Sequence, residues 1–218
     1  RTDTGDDSGT VLETLPVPAL EQAQVEACLK GFVGPQMQVP PMYSALKQNG
    51  QKLYQLARQG IEVEREARPI EIYKLQLMNM TDKKLTMAVE CSKGTYIRVL
   101  VEDIAKALGT CGTMSFLLRT QVGKYYINDA HTLQEIAANP EACKGELIGA
   151  VAHLPKLLLT GKQAARITNG VRTTIRGTEP GRYVLLGPGN EFLGLGICEN
   201  EIIKADKILE HYPMPKDE

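Results

Sequence analysis

The strongest constraint on the fold is a change of hydrophobic period within residues 70–108. Apolar and polar residues alternate along 70–77 and again along 85–91, which is typical of strands with one buried face and one solvent face. A polar turn joins the two runs, so we predict an antiparallel hairpin. Along 97–108 the apolar residues recur at helical spacing, and Gly109 ends the run. The pattern predicts a sheet with a helix packed against it.

The neighbouring segments predict further elements around this centre. Apolar residues at helical spacing predict helices over 20–32 and 51–59, and prolines favour an extended conformation over 36–41. We also predict a strand over 114–127 that is interrupted near Gly123. The fold class is therefore α+β, with a mixed, largely antiparallel sheet and flanking helices.

The last third of the chain has a different sequence pattern, with shorter apolar runs and more frequent turn residues. It follows a polar, alanine-rich connector with a short helix over 132–138. Thr160 and Gln163 then form a capping box for a helix that Gly170 ends. Short apolar runs separated by Gly and Pro turns predict strands over 183–186, 192–198 and 201–209. One helix on a small β-barrel fits this pattern.

Composition restricts the class of protein. The chain has 218 residues, of which 43% are hydrophobic and 23% are charged, so it can bury a sizeable core and is not wholly disordered. It has no run of about 18 apolar residues that would span a membrane. Residues 1–7 are polar, unlike a signal peptide. We expect one large domain with a small appendage, no membrane contact and a cytoplasmic location.

Cysteine and histidine usage argues against metal sites and disulfides. The five cysteines are scattered, odd in number and never in a C-x-x-C pair. The three histidines lie far from any cysteine at ligand spacing. We expect free thiols and no bound metal.

The charge balance bears on nucleic-acid binding. The 25 Lys and Arg residues are offset by 26 Asp and Glu residues, which gives a formal net charge of −1. Nucleic-acid-binding proteins usually carry a basic surface, because neutralising phosphates supplies much of their affinity. Composition alone therefore disfavours RNA binding, although a local basic face is compatible with a balanced total.

The most informative segment for chemistry is 91–98, where a strand ends, a Gly turn follows and a helix begins. Helix N-termini carry unpaired amides and a partial positive charge that favour anions. Lys93 and Arg98 at such a site would face a carboxylate or an RNA phosphate. The alternative is an ion pair between Arg98 and Glu102 on a solvated helix face. Position alone leaves both interpretations open.

A second candidate is 39–47, where two prolines stiffen an extended segment before Tyr43 and Lys47. Tyr43 would stack on a base and Lys47 would contact a phosphate. The alternative is a core tyrosine beside a solvated lysine, and the residue types alone favour that alternative.

Taken together, these segments resemble the TruB tRNA pseudouridine synthases. The matching motifs follow one another in order, almost without gaps, from residue 1 to about 135. They are R-T-D-T-G-D (1–6), P-M-Y-S-A-L-K (41–47), L-Y (53–54) with A-R-Q-G (57–60), R-E-A-R-P-I (65–70), C-S-K-G-T-Y-I-R (91–98), then Leu117, Arg119 and G-K-Y (123–125). The segment 152–211 is similar to the PUA-like C-terminal domain of the same family.

The resemblance implies an RNA isomerase that needs neither cofactor nor metal and acts on uridine 55 in the T-arm of tRNA. The target base is extruded from the T-loop. An Asp nucleophile attacks, and the released base rotates and rejoins through carbon 5. The implied organisation is catalytic domain over 1–135, connector over 136–151, PUA-like RNA-binding domain over 152–211 and tail over 212–218. We expect a monomer.

The resemblance also implies roles for individual residues. Arg98 matches the arginine that pairs with the catalytic aspartate, and an adjacent arginine typically lowers an aspartate pKa by roughly 1–3 units. Tyr96 matches an active-site aromatic residue. Substrate contacts are expected from a pocket-lining acid, an apolar residue near the flipped base and two cations: Asp6, Leu117, Lys47 and Arg119.

The nucleophile itself has no match in these residues. The family's catalytic aspartate lies in a G-x-L-D-P-x-A-x-G-like motif upstream of R-T-D-T, where this chain starts. We expect that aspartate, and the tyrosine that stacks on the flipped base, in a segment before Arg1. We assign no nucleophilic role to Asp3, Asp6 or Asp103, and we expect residues 1–218 alone to be inactive.

Two other functions remain open. The main rival is a non-catalytic tRNA-binding or tRNA-folding protein on the same scaffold, and a third is an unrelated small-molecule enzyme. A G-x-L-D-type segment before Arg1 would favour the enzyme over the main rival. A structured tRNA arm is held largely by shape and stacking, so the balanced charge is compatible with either tRNA hypothesis.

Overall fold

The computed structural model describes residues 1–213, and the predicted tail over 212–218 lies mostly outside them. The chain divides into two compact units, Arg1–Lys124 and the residues from Tyr125 onward. The division falls earlier than the boundary at 135 that the sequence predicted.

The first unit contains three helices and, up to residue 91, five strands. The helices are α1 (Gln22–Lys30), α2 (Leu53–Arg58) and α3 (Ile97–Ala107). The strands are β1 (Gly34–Gln38), β2 (Lys47–Gln48), β3 (Gln51–Lys52), β4 (Arg68–Met80) and β5 (Leu85–Cys91). The helices predicted over 20–32, 51–59 and 97–108 are confirmed, each slightly shorter than predicted.

The centre of the first unit is a three-stranded antiparallel sheet in the order β1-β4-β5. β4 and β5 form the predicted hairpin, with Ile72 opposite Cys91 and Leu75 opposite Val89. Alternate residues of β4 are buried until an irregularity shifts the register after Ile72. One core cluster joins the sheet to α1 and α3, and its buried residues are Val25, Leu29, Ile70, Ile72, Leu75, Leu100 and Ile104. The α+β class with a largely antiparallel sheet is confirmed.

The strand predicted over 114–127 is wrong. Met114 forms one isolated parallel bridge with Asp6, and only the two-residue strands β6 (Gln121–Val122) and β7 (Tyr125–Tyr126) follow. The three consecutive apolar residues 116–118 are all more than half exposed. A continuous apolar run does not alternate between apolar and polar residues. It therefore shows no periodicity that would distinguish a strand from an exposed loop.

The second unit combines short helices with a five-stranded sheet. After a 3-10 turn at Ile127–Asp129, its helices are α4 (Leu133–Ala138), α5 (Leu147–Ala150) and α6 (Gly161–Thr168). Its strands are β8 (Lys156–Leu158), β9 (Thr173–Thr174), β10 (Gly181–Leu186), β11 (Phe192–Glu199) and β12 (Ile202–Ile208). The strand order is β8-β10-β11-β12-β9, antiparallel except between β8 and β10.

The helix predicted from the capping box at Thr160 is confirmed. The Gln163 N–H donates to Thr160 Oγ1 at 3.3 Å, and the Thr160 N–H donates to Gln163 Oε1 at 2.9 Å. Gly170 follows the helix with a positive φ of 87°. α6 buries Ala164 and Ile167 in a second core cluster with residues of β10, β11 and β12. This unit therefore has its own core.

In the part of the chain that the structure describes, no helix has both the length and the apolar character needed to cross a membrane.

Candidate active site

Arg98 lies in the first turn of α3, at the end of a short connection from β5. The Ser92 N–H donates to the Glu71 carbonyl at 2.8 Å, so this connection stays attached to β4. Gly94 turns the chain with a φ of 87°, a left-handed conformation that favours glycine. Tyr96 is then the N-cap residue of α3, with extended φ and ψ. The strand, the turn and the helix start together fix where Arg98 emerges.

The Arg98 guanidinium contacts three oxygens from two distant segments. Its Nη1 donates to the Thr4 carbonyl at 2.5 Å and lies 3.3 Å from Asp6 Oδ2. Its Nη2 donates to the Tyr43 carbonyl at 2.7 Å. Within residues 1–213 the carboxylate paired with Arg98 is that of Asp6, not that of Glu102. The structure therefore favours the interpretation in which Arg98 faces an anion over a pair on its own helix.

Asp6 is held by its own loop as well as by Arg98. Its Oδ1 accepts hydrogen bonds from the Ser8 hydroxyl at 2.6 Å, the Thr4 hydroxyl at 2.7 Å and the Ser8 N–H at 3.2 Å. The bonds from Ser8 and Thr4, with a smaller effect of the Arg98 charge, lower the pKa of Asp6 below its ordinary value. Asp6 is therefore a fixed, ionised counter-ion.

The Asp6 loop packs closely against α3. Gly5 has a φ of 75°, and a Cβ there would lie 3.0 Å from Glu102 Oε1 and 3.2 Å from the Arg98 Cβ. The Met114 N–H donates to the Gly5 carbonyl at 3.0 Å on the other side of the loop. A side chain at Gly5 would push Asp6 away from Arg98, so the glycine of the R-T-D-T-G-D motif has a steric role.

Glu102 lies one turn after Arg98 on the same helix. Burial raises the pKa of its carboxyl, against smaller opposing effects from Arg1 and Arg98. The two carboxyl groups close to Gly5 therefore have pKa values shifted in opposite directions: the pKa of Asp6 is lowered and that of Glu102 is raised.

Tyr96 is held through its backbone by Gln38, a residue that the sequence did not single out. The Tyr96 N–H donates to Gln38 Oε1 at 2.8 Å, and Gln38 Nε2 donates to the Tyr96 carbonyl at 3.1 Å. Gln38 is only 5% exposed. Its one sequence signal was an uncharged polar side chain two residues before a Pro-Pro pair, and that pattern does not distinguish a buried glutamine from a solvated one.

The structure pairs Asp6 with Arg98 and places Tyr96 two residues before Arg98 at the start of α3, but it shows no contact between this pair and the other predicted site residues. Lys47 is exposed on β2, opposite Lys52. Leu117 is 52% exposed and Arg119 is exposed in the segment before β6. Among residues 1–213, none of these three forms a hydrogen bond or an ion pair with Asp6 or Arg98. Their substrate-binding roles stay predictions.

A basic group with an aromatic centre lies on β3 and α2. Lys52 Nζ is 5.6 Å and Arg58 Cζ is 5.5 Å from the centre of the Tyr54 ring. Two cations therefore lie against one half-buried tyrosine, and Lys47 pairs with Lys52 across the hairpin. Tyr43, for which the residue types favoured a core position over stacking, is half-buried, and its carbonyl accepts a hydrogen bond from Arg98.

Within the described residues, no group of three or more His, Cys, Asp or Glu side chains is arranged to hold a metal ion.

Two family models match the chain and meet within the start of α3. Residues 1–97 match the TruB family pseudouridylate synthase N-terminal domain, and residues 98–159 match the tRNA pseudouridylate synthase B C-terminal domain. The Asp6 loop and Arg98 therefore fall in different matches.

Curated relatives match the whole chain. A protein of Hydrogenovibrio crunogenus is 41% identical over 219 residues, covering 100% of this chain and 72% of the relative. A protein of Aeromonas salmonicida is 39% identical over 234 residues, covering 100% of this chain and 73% of the relative. Both carry the name tRNA pseudouridine synthase B.

Solved structures show the same fold at lower identity. A chain in the crystal structure of a Cbf5-Nop10-Gar1 complex gives a TM-score of 0.68 at 20% identity over 90% of this chain. A chain in an archaeal box H/ACA sRNP Nop10-Cbf5 complex gives a TM-score of 0.65 at 19% identity, again over 90%. The matched region is 64% of the first solved chain and 65% of the second, so this chain spans less than two thirds of either.

Proposed function

This chain belongs to the TruB family of pseudouridylate synthases, and from that premise we propose that the protein isomerises uridine 55 in the T-loop of tRNA to pseudouridine. The observation that carries the proposal is the Arg98 guanidinium at the start of α3, fixed beside Asp6 by two main-chain carbonyls. A fixed guanidinium is suited to holding an ionised carboxylate against a substrate.

The reaction exchanges one bond of the uridine for another. The bond between ribose carbon 1′ and base nitrogen 1 breaks, and a bond between carbon 1′ and carbon 5 forms after the base rotates. Carbon 5 loses its hydrogen and nitrogen 1 gains one, so the substrate and the product are isomers. The base must first leave the T-loop stack, which costs a few kcal/mol.

Arg98 would keep the nucleophilic aspartate ionised during this sequence. Two of its contacts are neutral carbonyls, which orient the guanidinium plane without cancelling its charge. Among the residues that the structure describes, its carboxylate contact is the 3.3 Å pair with Asp6. A second carboxylate placed against this group would have its pKa lowered by the positive charge.

Asp6 is poorly suited to be that nucleophile. One of its oxygens already accepts three hydrogen bonds, and the other faces Arg98. A carboxylate saturated in this way is stabilised as an anion and attacks carbon less readily. We therefore propose that Asp6 lines the pocket and that another aspartate of the full-length protein attacks carbon 1′.

RNA contact would involve the cations around Tyr54. Lys52 and Arg58 place positive charge beside an aromatic ring, with Lys47 opposite Lys52 on the hairpin, and such a combination is found in surfaces that hold phosphates and stack bases. A local basic group of this kind is compatible with the net charge of −1. Leu117 and Arg119, both exposed, would complete the contact near the flipped base.

The residues 152–211 would form a PUA-like domain that adds tRNA affinity and takes no part in the chemistry. They include the sheet and α6 of the second unit, which share a core of their own. An enzyme acting on tRNA would work in the cytoplasm, and we propose that it does so as a monomer.

The test is to map pseudouridine in an unmodified tRNA transcript after incubation with the full-length protein. We expect modification at position 55 and none in a matched transcript that carries cytidine there. Pseudouridine at another position would reject the specificity. Tight tRNA binding without any pseudouridine would favour the rival, a non-catalytic tRNA-binding or tRNA-folding protein.

A further inference from the structure

We propose that Gln38 is a positioning residue of this site, which fixes the start of α3 and through it Tyr96 and Arg98. The inference rests on the proposed function, because it concerns the same site. It assigns a role to a residue that neither contacts Arg98 nor belongs to the motifs from which the family was first identified.

The side chain of Gln38 forms both of its described hydrogen bonds with one residue, at the start of α3. It is the last residue of β1, and its amide accepts from the Tyr96 N–H at 2.8 Å and donates to the Tyr96 carbonyl at 3.1 Å. A side-chain amide that pairs with both the backbone N–H and the backbone carbonyl of one residue forms the same two hydrogen bonds as a neighbouring strand would. It therefore restricts that residue's φ and ψ.

The start of α3 needs such a partner. The first N–H groups of a helix have no partner within the helix. The N-cap residue Tyr96 supplies no side-chain cap, although its carbonyl accepts the Leu100 N–H at 3.1 Å. Gln38 therefore holds the residue from which α3 begins, two positions before Arg98.

The same stretch of chain contacts α3 a second time. Tyr43, five residues after Gln38, accepts a hydrogen bond from Arg98 Nη2 at 2.7 Å. Pro40 and Pro41 lie between these contacts and fix two of the intervening φ angles. A stiff segment thus sets both the backbone direction at Tyr96 and the carbonyl that orients Arg98. Loss of the Gln38 amide would shift one contact relative to the other.

The strand provides a matched control in Gln36, which lies two residues earlier on the same face of β1. Its Nε2 donates to the Phe32 carbonyl at 2.8 Å, a contact only four residues away in sequence. Gln36 and Gln38 therefore have the same side chain, the same strand and the same kind of acceptor. They differ in that Gln38 reaches the site, forms two side-chain hydrogen bonds there and is more deeply buried than Gln36.

The test compares Gln38→Met with Gln36→Met in the full-length protein, since methionine keeps the length of the side chain and removes both hydrogen bonds. On an unmodified tRNA transcript, we expect Gln38→Met to lower kcat about 10- to 100-fold with KM within about twofold, because small misplacements of catalytic groups are costly. Gln36→Met should stay within about twofold in both. Amide hydrogen exchange over residues 92–100 should accelerate only in Gln38→Met.

A purely structural role would give a different result. Gln38→Met would then lower the melting temperature without changing kcat of the folded enzyme beyond the Gln36→Met control, and the inference would be overturned. Gln38→Glu, which keeps the acceptor for the Tyr96 N–H, covers the case in which Gln38→Met does not fold. It loses the donor to the Tyr96 carbonyl and should lower kcat in the same direction as Gln38→Met. Failure of both variants to fold would also overturn the inference. An inactive unmutated protein would instead reject the proposed function, while hydrogen exchange would still test the contact.

Discussion

At the scale of single residues, the site is defined by contacts between positions far apart in sequence. Arg98 meets an oxygen of Thr4 and one of Asp6, more than 90 residues away, and the carbonyl of Tyr43, 55 residues away. The charges are arranged so that each supports the other. The Ser8 and Thr4 hydroxyls, with a smaller effect of the Arg98 charge, keep Asp6 ionised, and Asp6 with two carbonyls keeps Arg98 in place.

We expect Asp6→Asn to destabilise the protein by about 1–2 kcal/mol near neutral pH, because it removes a charged acceptor from four donor groups. The folded pKa of Asp6 lies below its unfolded value of about 4. Its contribution is therefore present above about pH 4 and is lost as the pH falls through the folded pKa. Urea unfolding of wild type and variant between pH 3 and 7 measures this difference.

The control for that experiment is Asp82→Asn, in the turn between β4 and β5. Its effect on the free energy of unfolding should stay within about 0.5 kcal/mol across the range. A penalty for Asp6→Asn that did not shrink at acid pH would mean that the charge of Asp6 contributes nothing to stability.

Local spacing identified some of these residues and not others. Arg98 could be predicted because a cation in the first turn of a helix is unfavourable unless an anion faces it. Its partner could not, since a carboxylate or phosphate facing Arg98 and a pair with Glu102 were equally consistent with position, and Asp6 is 92 residues away in sequence. Gln38 was missed because it is 58 residues from Tyr96 in sequence, and a local sequence pattern does not indicate contacts between positions so far apart.

At the scale of elements, hydrophobic period and capping chemistry were reliable wherever one face is buried. The hairpin of β4 and β5, the helix α3 and the capped helix α6 all follow from such patterns. The pattern failed at 114–127, where apolar residues are consecutive and exposed. The pairing of β1 with β4 was also not predicted, because register between strands that are distant in sequence depends on the assembled core.

Two capping boxes that each have threonine at the N-cap, with Gln163 at N3 in α6 and Glu135 at N3 in α4, allow a prediction about α6. Thr160→Ala should cost about 1 kcal/mol of unfolding free energy, because it removes the cap of a helix that buries Ala164 and Ile167. Thr132→Ala removes the equivalent cap from α4, which buries none of its residues, and should cost less than about 0.5 kcal/mol. Thermal unfolding of both variants compares the two. Equal losses of unfolding free energy in the two variants would show that the contribution of a cap does not depend on how well its helix is packed.

At the scale of the whole molecule, chemistry and affinity would belong to different parts of the chain. The Asp6–Arg98 site lies in the unit Arg1–Lys124, and the sheet with α6 lies in the unit that begins at Tyr125. Hydrophobic periodicity indicated a change of texture in the last third of the chain. It did not locate the division at Lys124, because no shift in composition marks that position.

The most direct measurement is a single-turnover titration of the full-length protein against an unmodified tRNA transcript, comparing wild type, Arg98→Ala and a deletion of 152–211. Arg98→Ala should lower the limiting rate of pseudouridine formation about 100-fold or more, with the half-saturating protein concentration little changed. The deletion should raise the half-saturating concentration and leave the limiting rate within about threefold. If Arg98→Ala weakened binding while the limiting rate stayed intact, Arg98 would be a phosphate contact, and its proposed role beside a catalytic carboxylate would be wrong.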